Sequence, residues 1–266
     1  MNLPTLMTGA APILNIRGKI GCLCLHGISA SPHEVSWLGE YLAEQGITTY
    51  IPRLTGHGAV DHQIFRYARW QDWYLDALDG YHLLRQTCDQ VFVAGLSMGG
   101  LLSILLAASQ PVDGLIVMAA PVQQPDNKLM PYANWIKLVR PFLDMPDTSD
   151  FPARLKETQA ARGESVLGRV RYDIWATQAV QELHTLIPIA AEHAPAVHAP
   201  ALLLYSKGDQ TVPIACQEDL AQRLNSAFIM QHTYENSGHI LTQDVDHEDV
   251  FQRVHDFIQR IVQSAI

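Results

Sequence analysis

Residues 90–109 hold the feature that most limits what this chain can fold into. The strand-length apolar run QVFVAGL ends at Ser97, and the segment that follows, MGGLLSILLAAS, is apolar on every side. A helix with apolar residues all round is buried, and a strand that is apolar on both faces is typical of the middle of a parallel sheet. The two segments together therefore predict a central strand followed, after a tight turn, by a buried helix.

The turn between this strand and this helix has the pattern Gly-x-Ser-x-Gly, formed by Gly95, Ser97 and Gly99. A serine there adopts a strained backbone conformation that points its hydroxyl out of the sheet, and the two glycines remove side chains that would collide. Such a pentapeptide arises by chance in roughly one chain in ten of this size, so the interpretation depends on the surrounding strand and helix. We predict that Ser97 is a nucleophile; the alternative is a glycine-rich packing turn with an ordinary serine.

Apolar runs of strand length alternate with helix-period segments along much of the chain. This alternation is typical of an α/β fold with a mostly parallel central sheet and helices on both faces. Between residues 123 and 171 it gives way to prolines and short amphipathic pieces. We therefore predict a core of residues 1–122 and 172–266 and an inserted cap of residues 123–171. The predicted core strands are residues 20–25, 47–51, 90–96, 115–119, 201–205 and 228–234.

Two further residues have the chemistry that a serine nucleophile requires, since its hydroxyl needs an imidazole to take the proton and an acid to orient the imidazole. Asp209 follows the predicted strand 201–205, and His239 follows the predicted strand 228–234. Either residue alone has the character of an ordinary loop residue. Because catalytic groups in open α/β sheets collect beyond the carboxyl ends of strands, the three together predict a Ser97, Asp209 and His239 triad.

Acyl transfer also needs two N–H donors for the oxyanion that forms on the substrate carbonyl. The amide of Met98, directly after the nucleophile, is the first candidate. The second comes from the loop HGISASP after the predicted strand 20–25, where we choose the amide of Ile28. For His26 and Gly27 we expect structural roles in shaping this loop.

Other functions can be considered for several residues, but the residue types and spacings do not favour them. His57, Asp61 and His62 are of the types that bind metals, but no HExxH pair or cysteine ligand accompanies them, so we expect a loop-shaping role and no metal site. The GLSMGG run lacks the lysine of a phosphate-binding loop. Asp244 is expected to cap the final helix.

The composition limits partners and location. The formal net charge of −9 offers no basic face for nucleic acid, and 48% hydrophobic residues indicate a well-filled core. Four scattered cysteines predict reduced thiols rather than a disulfide framework. Since neither a secretory signal nor a bilayer-length apolar run is found, we expect a cytoplasmic protein without integral membrane association. The sequence does not specify an oligomeric state.

The chain resembles the small bacterial carboxylesterase and monoacylglycerol lipase group of α/β-hydrolases over nearly its whole length. The matching stretches are LCLHGISASPHE, YIPRLTGHG, WQDW, VFVAGLSMGG, KGDQTVP and NSGHILTQD. The resemblance implies hydrolysis of short- to medium-chain acyl esters, a function in lipid metabolism, with Ser97, Asp209 and His239 as the triad, Ile28 and Met98 as oxyanion amides, and no cofactor.

The cap is where the chain departs from the group. An apolar set there either faces the acyl chain of a substrate or attaches the cap to the core: Trp135, Ile136, Val139, Phe142, Leu143 and Met145. Other functions stay open at this point. They are a non-catalytic protein that binds a small apolar ligand on the same fold, and a thioesterase, an amidase or a hydrolase of carbon–carbon bonds.

Overall fold

The structure is a computed structural model that describes residues 3–124, 139–145 and 149–264. Within these residues lie the strands β1 (Ile13–Asn15), β2 (Ile20–Leu25), β3 (Thr48–Ile51), β4 (Gln90–Leu96), β5 (Gly114–Met118), β6 (Phe142–Asp144), β7 (Ile174–Ala176), β8 (Ala201–Ser206) and β9 (Ile229–Tyr234). The α-helices are α1 (Ser36–Glu44), α2 (Trp70–Arg85), α3 (Met98–Ser109), α4 (Phe151–Ala161), α5 (Thr177–His193), α6 (Ala215–Arg223) and α7 (His247–Ser264).

Seven of these strands form the central sheet, in the order β1-β3-β2-β4-β5-β8-β9. Strand β1 is antiparallel to β3, and every other neighbouring pair in the sheet is parallel. Parallel strands place all their carboxyl ends along one edge, so the loops after β2, β4, β8 and β9 share that edge. The predicted α/β-hydrolase fold class is confirmed.

The two faces of the sheet bury alternate residues of the same strands. On one face Val91, Val93 and Leu115 pack with α2, α3 and α5. On the other face Phe92 and Ile116 pack with α1 and α7. Strand β4 is buried on both faces because it lies in the middle of the sheet, which explains its unbroken apolar sequence.

The six predicted core strands are all present. The bounds 20–25 and 90–96 agree with the structure, three of the others differ by one residue at one end, and the strand predicted at 115–119 is shifted by one residue at both ends. Three short strands were not predicted. Strand β1 is an antiparallel edge strand of three residues, and β6 and β7 pair with each other in a separate two-stranded sheet. Strands this short give too few residues for a period of two to be recognised.

The described part of the predicted cap contains β6 and α4. Tyr172, the first residue after the predicted boundary, ties the end of this segment to two loops of the core. Its hydroxyl donates to Gly56 O and accepts from Ala59 N, and its own N–H donates to Ser29 O at 2.9 Å. The boundaries of the cap stay a prediction. Among the described helices, none is both long and apolar enough to cross a lipid bilayer.

Candidate active site

Ser97 lies on a sharp turn between β4 and α3, with φ 56° and ψ −119°. Its N–H donates to Met118 O at 2.8 Å, which fixes the turn to the neighbouring strand. A Cβ on Gly95 would lie 2.1 Å from Gly99 O, and a Cβ on Gly99 would lie 2.2 Å from Leu25 O. The strained serine therefore depends on glycine at both positions, because any side chain would collide with backbone.

Asp209 and His239 meet at the ends of β8 and β9. Asp209 Oδ2 accepts a hydrogen bond from His239 Nδ1 at 2.7 Å. Its other oxygen accepts from the N–H groups of Thr211 and Val212 at 2.7 and 3.0 Å. Because Nδ1 donates to the carboxylate, the neutral ring presents Nε2 as its unprotonated, basic nitrogen.

The environment of Asp209 favours the carboxylate form. Burial raises the pKa of Asp209, but the hydrogen bond and charge of His239, together with the two N–H donors, outweigh burial and hold the pKa below its ordinary value. The Asp209 carboxylate is therefore ionised and can orient the His239 ring. This is the electrostatic condition that a histidine base requires.

Ser97 and His239 line the same cavity, of about 740 Å³. In the part of the chain that the structure describes, Asp209 is the hydrogen-bond partner of the His239 ring, and no hydrogen bond links that ring to Ser97. The structure therefore brings Asp209 and His239 into direct contact and brings Ser97 to the same cavity. Catalytic hydrogen bonds of this kind often tighten only around a bound substrate.

The loop after β2 forms another part of the cavity wall through Gly27, Ile28 and Ser29. Ser29 has φ 61°, so the loop turns sharply just after Ile28. Met98 is the first residue of α3, and the first N–H groups of a helix have no partner inside the helix. Both predicted oxyanion amides thus belong to segments beside Ser97.

His26 shapes the loop as expected. Its Nδ1–H donates to Gly27 O at 2.8 Å, and its Nε2 accepts from Leu54 N at 3.2 Å, so the ring joins this loop to the one after β3. Burial lowers the pKa of His26 to about 4, which keeps the ring neutral. His57 is also buried, against the rings of Phe65 and Trp73. Among the described residues no group of three or more potential ligands is placed to hold a metal ion.

Glu34 is a cavity residue to which the sequence analysis assigned no role. Its Oε2 accepts from Gly27 N at 2.8 Å, and its Oε1 lies 3.8 Å from Arg169 Nη2. Burial raises the pKa of Glu34, while Arg169, the Gly27 N–H, His239 and Arg171 each lower it in part. The sequence shows a glutamate shortly after the HGISASP loop, but it does not show that the Glu34 side chain turns back to Gly27.

Asp244 does not cap the final helix, contrary to the expectation, because α7 begins three residues later at His247. Its Oδ2 instead accepts from Gly238 N at 2.7 Å, and its Oδ1 accepts from Arg154 Nη2 at 2.8 Å. The carboxylate thus fixes the residue before His239 and connects that loop to α4.

The apolar wall of the cavity differs from the predicted cap set. Trp135 and Ile136 lie outside the described residues. Neither Val139 nor Phe142 is among the described residues that line the cavity. Val139 is 80% exposed, and Phe142 packs edge-on against the His62 ring. Besides Ile28 and Pro121, the described apolar lining comprises Leu143, Met145, Phe151, Trp175, Val180, Leu183, Ile187, Val212 and Ile240.

Comparison with known proteins identifies the family of the chain. The family model described as serine aminopeptidase, S33 (Hydrolase_4) matches residues 19–246. The thermostable monoacylglycerol lipase of Bacillus sp. (strain H-257) is 27% identical over 255 residues, covering 96% of each chain. The carboxylesterase of Bacillus subtilis (strain 168) is 23% identical over 245 residues, covering 92% of this chain and 94% of that protein.

A solved structure reported with LipS and LipT, two metagenome-derived lipolytic enzymes, superposes with a TM-score of 0.85 at 27% identity. The match covers 96% of this chain and 100% of that one. The resemblance read from the sequence motifs is confirmed by these matches. Because the family model spans more than half of the chain and includes all three triad candidates, the chain belongs to the Hydrolase_4 family, serine aminopeptidase S33, of the α/β-hydrolases.

Proposed function

We propose that this chain is a serine hydrolase of carboxylic esters that works through a covalent acyl-enzyme. Ser97 is the nucleophile, His239 the general base and Asp209 the acid that orients the base. The observation that carries the proposal is the Asp209–His239 hydrogen bond at the rim of the cavity into which the strained Ser97 turn also opens. Lipolytic and esterase relatives that align over more than nine-tenths of the chain support it.

The reaction proceeds in two halves. His239 Nε2 takes the proton of Ser97 Oγ as that oxygen attacks the ester carbonyl carbon, and the imidazolium then protonates the departing alcohol. Water, deprotonated by the same nitrogen, next attacks the acyl carbon. The bond between that carbon and Ser97 Oγ breaks, Oγ takes the proton back from the imidazolium, and the acid is released. The negative charge on the carbonyl oxygen in each half is received by the amides of Ile28 and Met98, and each such donor lowers the barrier by roughly 3 kcal/mol.

The shape of the cavity suits an acyl chain. Leu183 and Ile187 of α5 and Trp175 of β7 line it together with cap residues. Burying each CH₂ group of a substrate there contributes about 0.8 kcal/mol, so binding should strengthen with chain length until the cavity is full. Short- to medium-chain acyl esters, including monoacylglycerols, are the substrates that we propose, with residues 123–171 as the cap over them.

An ester fits this cavity better than a peptide with a free amino terminus. Aminopeptidases must bind an ammonium group, which calls for a carboxylate that is not already paired with a cation or an N–H group. Among the described lining residues the carboxylates are Glu34, Asp150 and Asp244. Glu34 accepts from Gly27, while Asp150 and Asp244 both pair with Arg154. A non-catalytic binding protein is not favoured, because the aligned relatives are lipases and esterases.

Active-site labelling tests the proposal. A fluorophosphonate probe should modify the protein once, at Ser97, and Ser97→Ala should abolish both the labelling and the hydrolysis of p-nitrophenyl butyrate. Ser149 also lines the cavity, so Ser149→Ala is the matched control and should still be labelled. Hydrolysis undiminished in Ser97→Ala would reject the mechanism. Comparing butyryl thioesters, anilides and monoacylglycerols in the same assay separates an esterase from a thioesterase or an amidase.

A further inference from the structure

We propose that Glu34 is a positioning residue that holds the loop carrying the Ile28 amide in the geometry required to bind the oxyanion. The inference rests on the proposed function and adds a residue to it. Among the described residues, no hydrogen bond joins the Glu34 carboxylate to Ser97 or to His239. Glu34 acts through Gly27: its carboxylate holds the Gly27 N–H, and the next peptide group along the chain carries the Ile28 N–H.

The first contact is between the Glu34 side chain and the loop. Glu34 lies in a short 3-10 turn, Pro32–Val35, just after the loop, and its carboxylate turns back to accept from Gly27 N at 2.8 Å. A Cβ on Gly27 would lie 3.0 Å from that oxygen, so the carboxylate sits directly against the loop backbone. Fixing the Gly27 amide restricts the orientation of the next peptide, and with it the direction of the Ile28 N–H.

The second contact joins the same residue to the base. Thr242 Oγ1, three residues after His239 in the chain, donates to the main-chain oxygen of Glu34 at 2.6 Å. Glu34 therefore connects the oxyanion loop, through its side chain, with the His239 loop, through its backbone. A single residue, Glu34, therefore contacts both loops and helps to fix the distance between them.

The chemistry of Glu34 argues against a role in packing alone. Its side chain is only 8% exposed, and a buried carboxylate destabilises a fold unless it is well compensated. An apolar side chain of similar size would avoid that cost. Here the compensation comes from the Gly27 N–H and from Arg169, which belongs to a segment attached to the same loop by the Ser31 Oγ to Val170 O hydrogen bond of 2.7 Å. The surroundings are thus arranged to keep an acceptor at this place.

Two substitutions at Glu34 test the proposal. Glu34→Ala removes the acceptor and should lower kcat on p-nitrophenyl butyrate by about 100-fold, since an oxyanion donor acts mainly in the transition state. For the same reason KM should stay within about threefold. Glu34→Gln keeps an oxygen for the Gly27 N–H and should restore most of kcat. The affinity of an alkyl boronic acid, which forms a tetrahedral adduct with the serine, should fall in parallel with kcat/KM.

A matched control removes a comparable carboxylate elsewhere. Glu182 accepts a hydrogen bond from the backbone N–H of Trp70 and is not among the described residues that line the cavity, so Glu182→Ala should leave kcat and boronic acid affinity near the wild-type values. If Glu34→Ala does not fold, Glu34→Asp, which withdraws the acceptor by one CH₂ group, should show the same loss of kcat. Equal losses in the Gln and Ala variants, or a change in KM alone, would overturn the inference. Hydrolysis that survives Ser97→Ala would instead reject the proposed function.

Discussion

The Arg154 guanidinium on α4 donates to Asp244 Oδ1 at 2.8 Å, while the other oxygen of Asp244 holds the N–H of Gly238, the residue before His239. Helix α4 and the loop that carries the proposed base are therefore connected through one carboxylate. Because the Asp244 side chain is nearly fully buried, the hydrogen bonds to Arg154 and Gly238 lie in a poorly screened environment.

Asp244→Ala should therefore impair both stability and catalysis. Losing hydrogen bonds to a buried charged acceptor typically costs about 1.5–3 kcal/mol of unfolding free energy. We expect kcat to fall by about tenfold because the His239 loop is less well fixed. Urea unfolding and steady-state kinetics measure the two effects. Arg253→Met breaks an exposed pair with Asp249 on the outside of α7 and should change stability by less than about 0.5 kcal/mol. Equal effects of the two variants would contradict the prediction.

Gly99→Ala should abolish the native turn at Ser97. The added methyl would lie 2.2 Å from Leu25 O, a backbone atom at the end of β2, which is paired on both sides within the sheet. We expect a loss of more than about 3 kcal/mol of unfolding free energy or no folded protein. Gly163 has a positive φ of 72° but no neighbour within 4 Å of a Cβ, so Gly163→Ala should cost only about 1 kcal/mol. Thermal unfolding distinguishes a collision from simple backbone strain. A mild Gly99→Ala phenotype would show that the turn can relax.

Asp209→Asn should lower kcat by on the order of 10³–10⁴-fold with little effect on KM. The asparagine amide cannot accept the Nδ1 proton with the charge that orients the base. In the wild type the pKa of Asp209 is lowered, so its contribution to stability is present above the unfolded value and is lost as the pH falls through the folded one. The difference in unfolding free energy between wild type and variant should therefore shrink in strong acid. Chemical denaturation at a series of pH values checks this, and a constant difference would refute it.

Acid should also destabilise the protein through His26. Its folded pKa of about 4 lies below the ordinary value of 6.5, so the unfolded chain takes up a proton first and stability declines as the pH falls from about 6.5 to about 4. The full effect corresponds to on the order of 3 kcal/mol of unfolding free energy. His26→Gln, which has no such proton to bind, should show a smaller decline over this range. Parallel slopes for the two proteins would count against a buried neutral ring.

Sequence patterns predicted the fold and the triad candidates because both depend on local signals. Strand β4 is buried on both faces, so its sequence is unambiguous, and Asp209 and His239 directly follow strands whose ends meet at one edge. The contacts of Glu34 and Asp244 were not predicted, because they join residues distant in the chain and leave no helical or strand periodicity in the sequence. Arg154 and Asp244, for example, are 90 residues apart. In the cap, an apolar pattern could not distinguish Leu143, which lines the cavity, from Val139, which is exposed.

Tyr172 lies between the proposed cap, which would select the substrate, and the part of the core that follows it. Its three hydrogen bonds anchor the chain to the core immediately downstream of the predicted cap. With Tyr172 retained, a change in the length or composition of the proposed cap should leave the spacing of the core loops unchanged. We therefore expect that exchanging the proposed cap for that of a relative would alter the substrate and keep the chemistry.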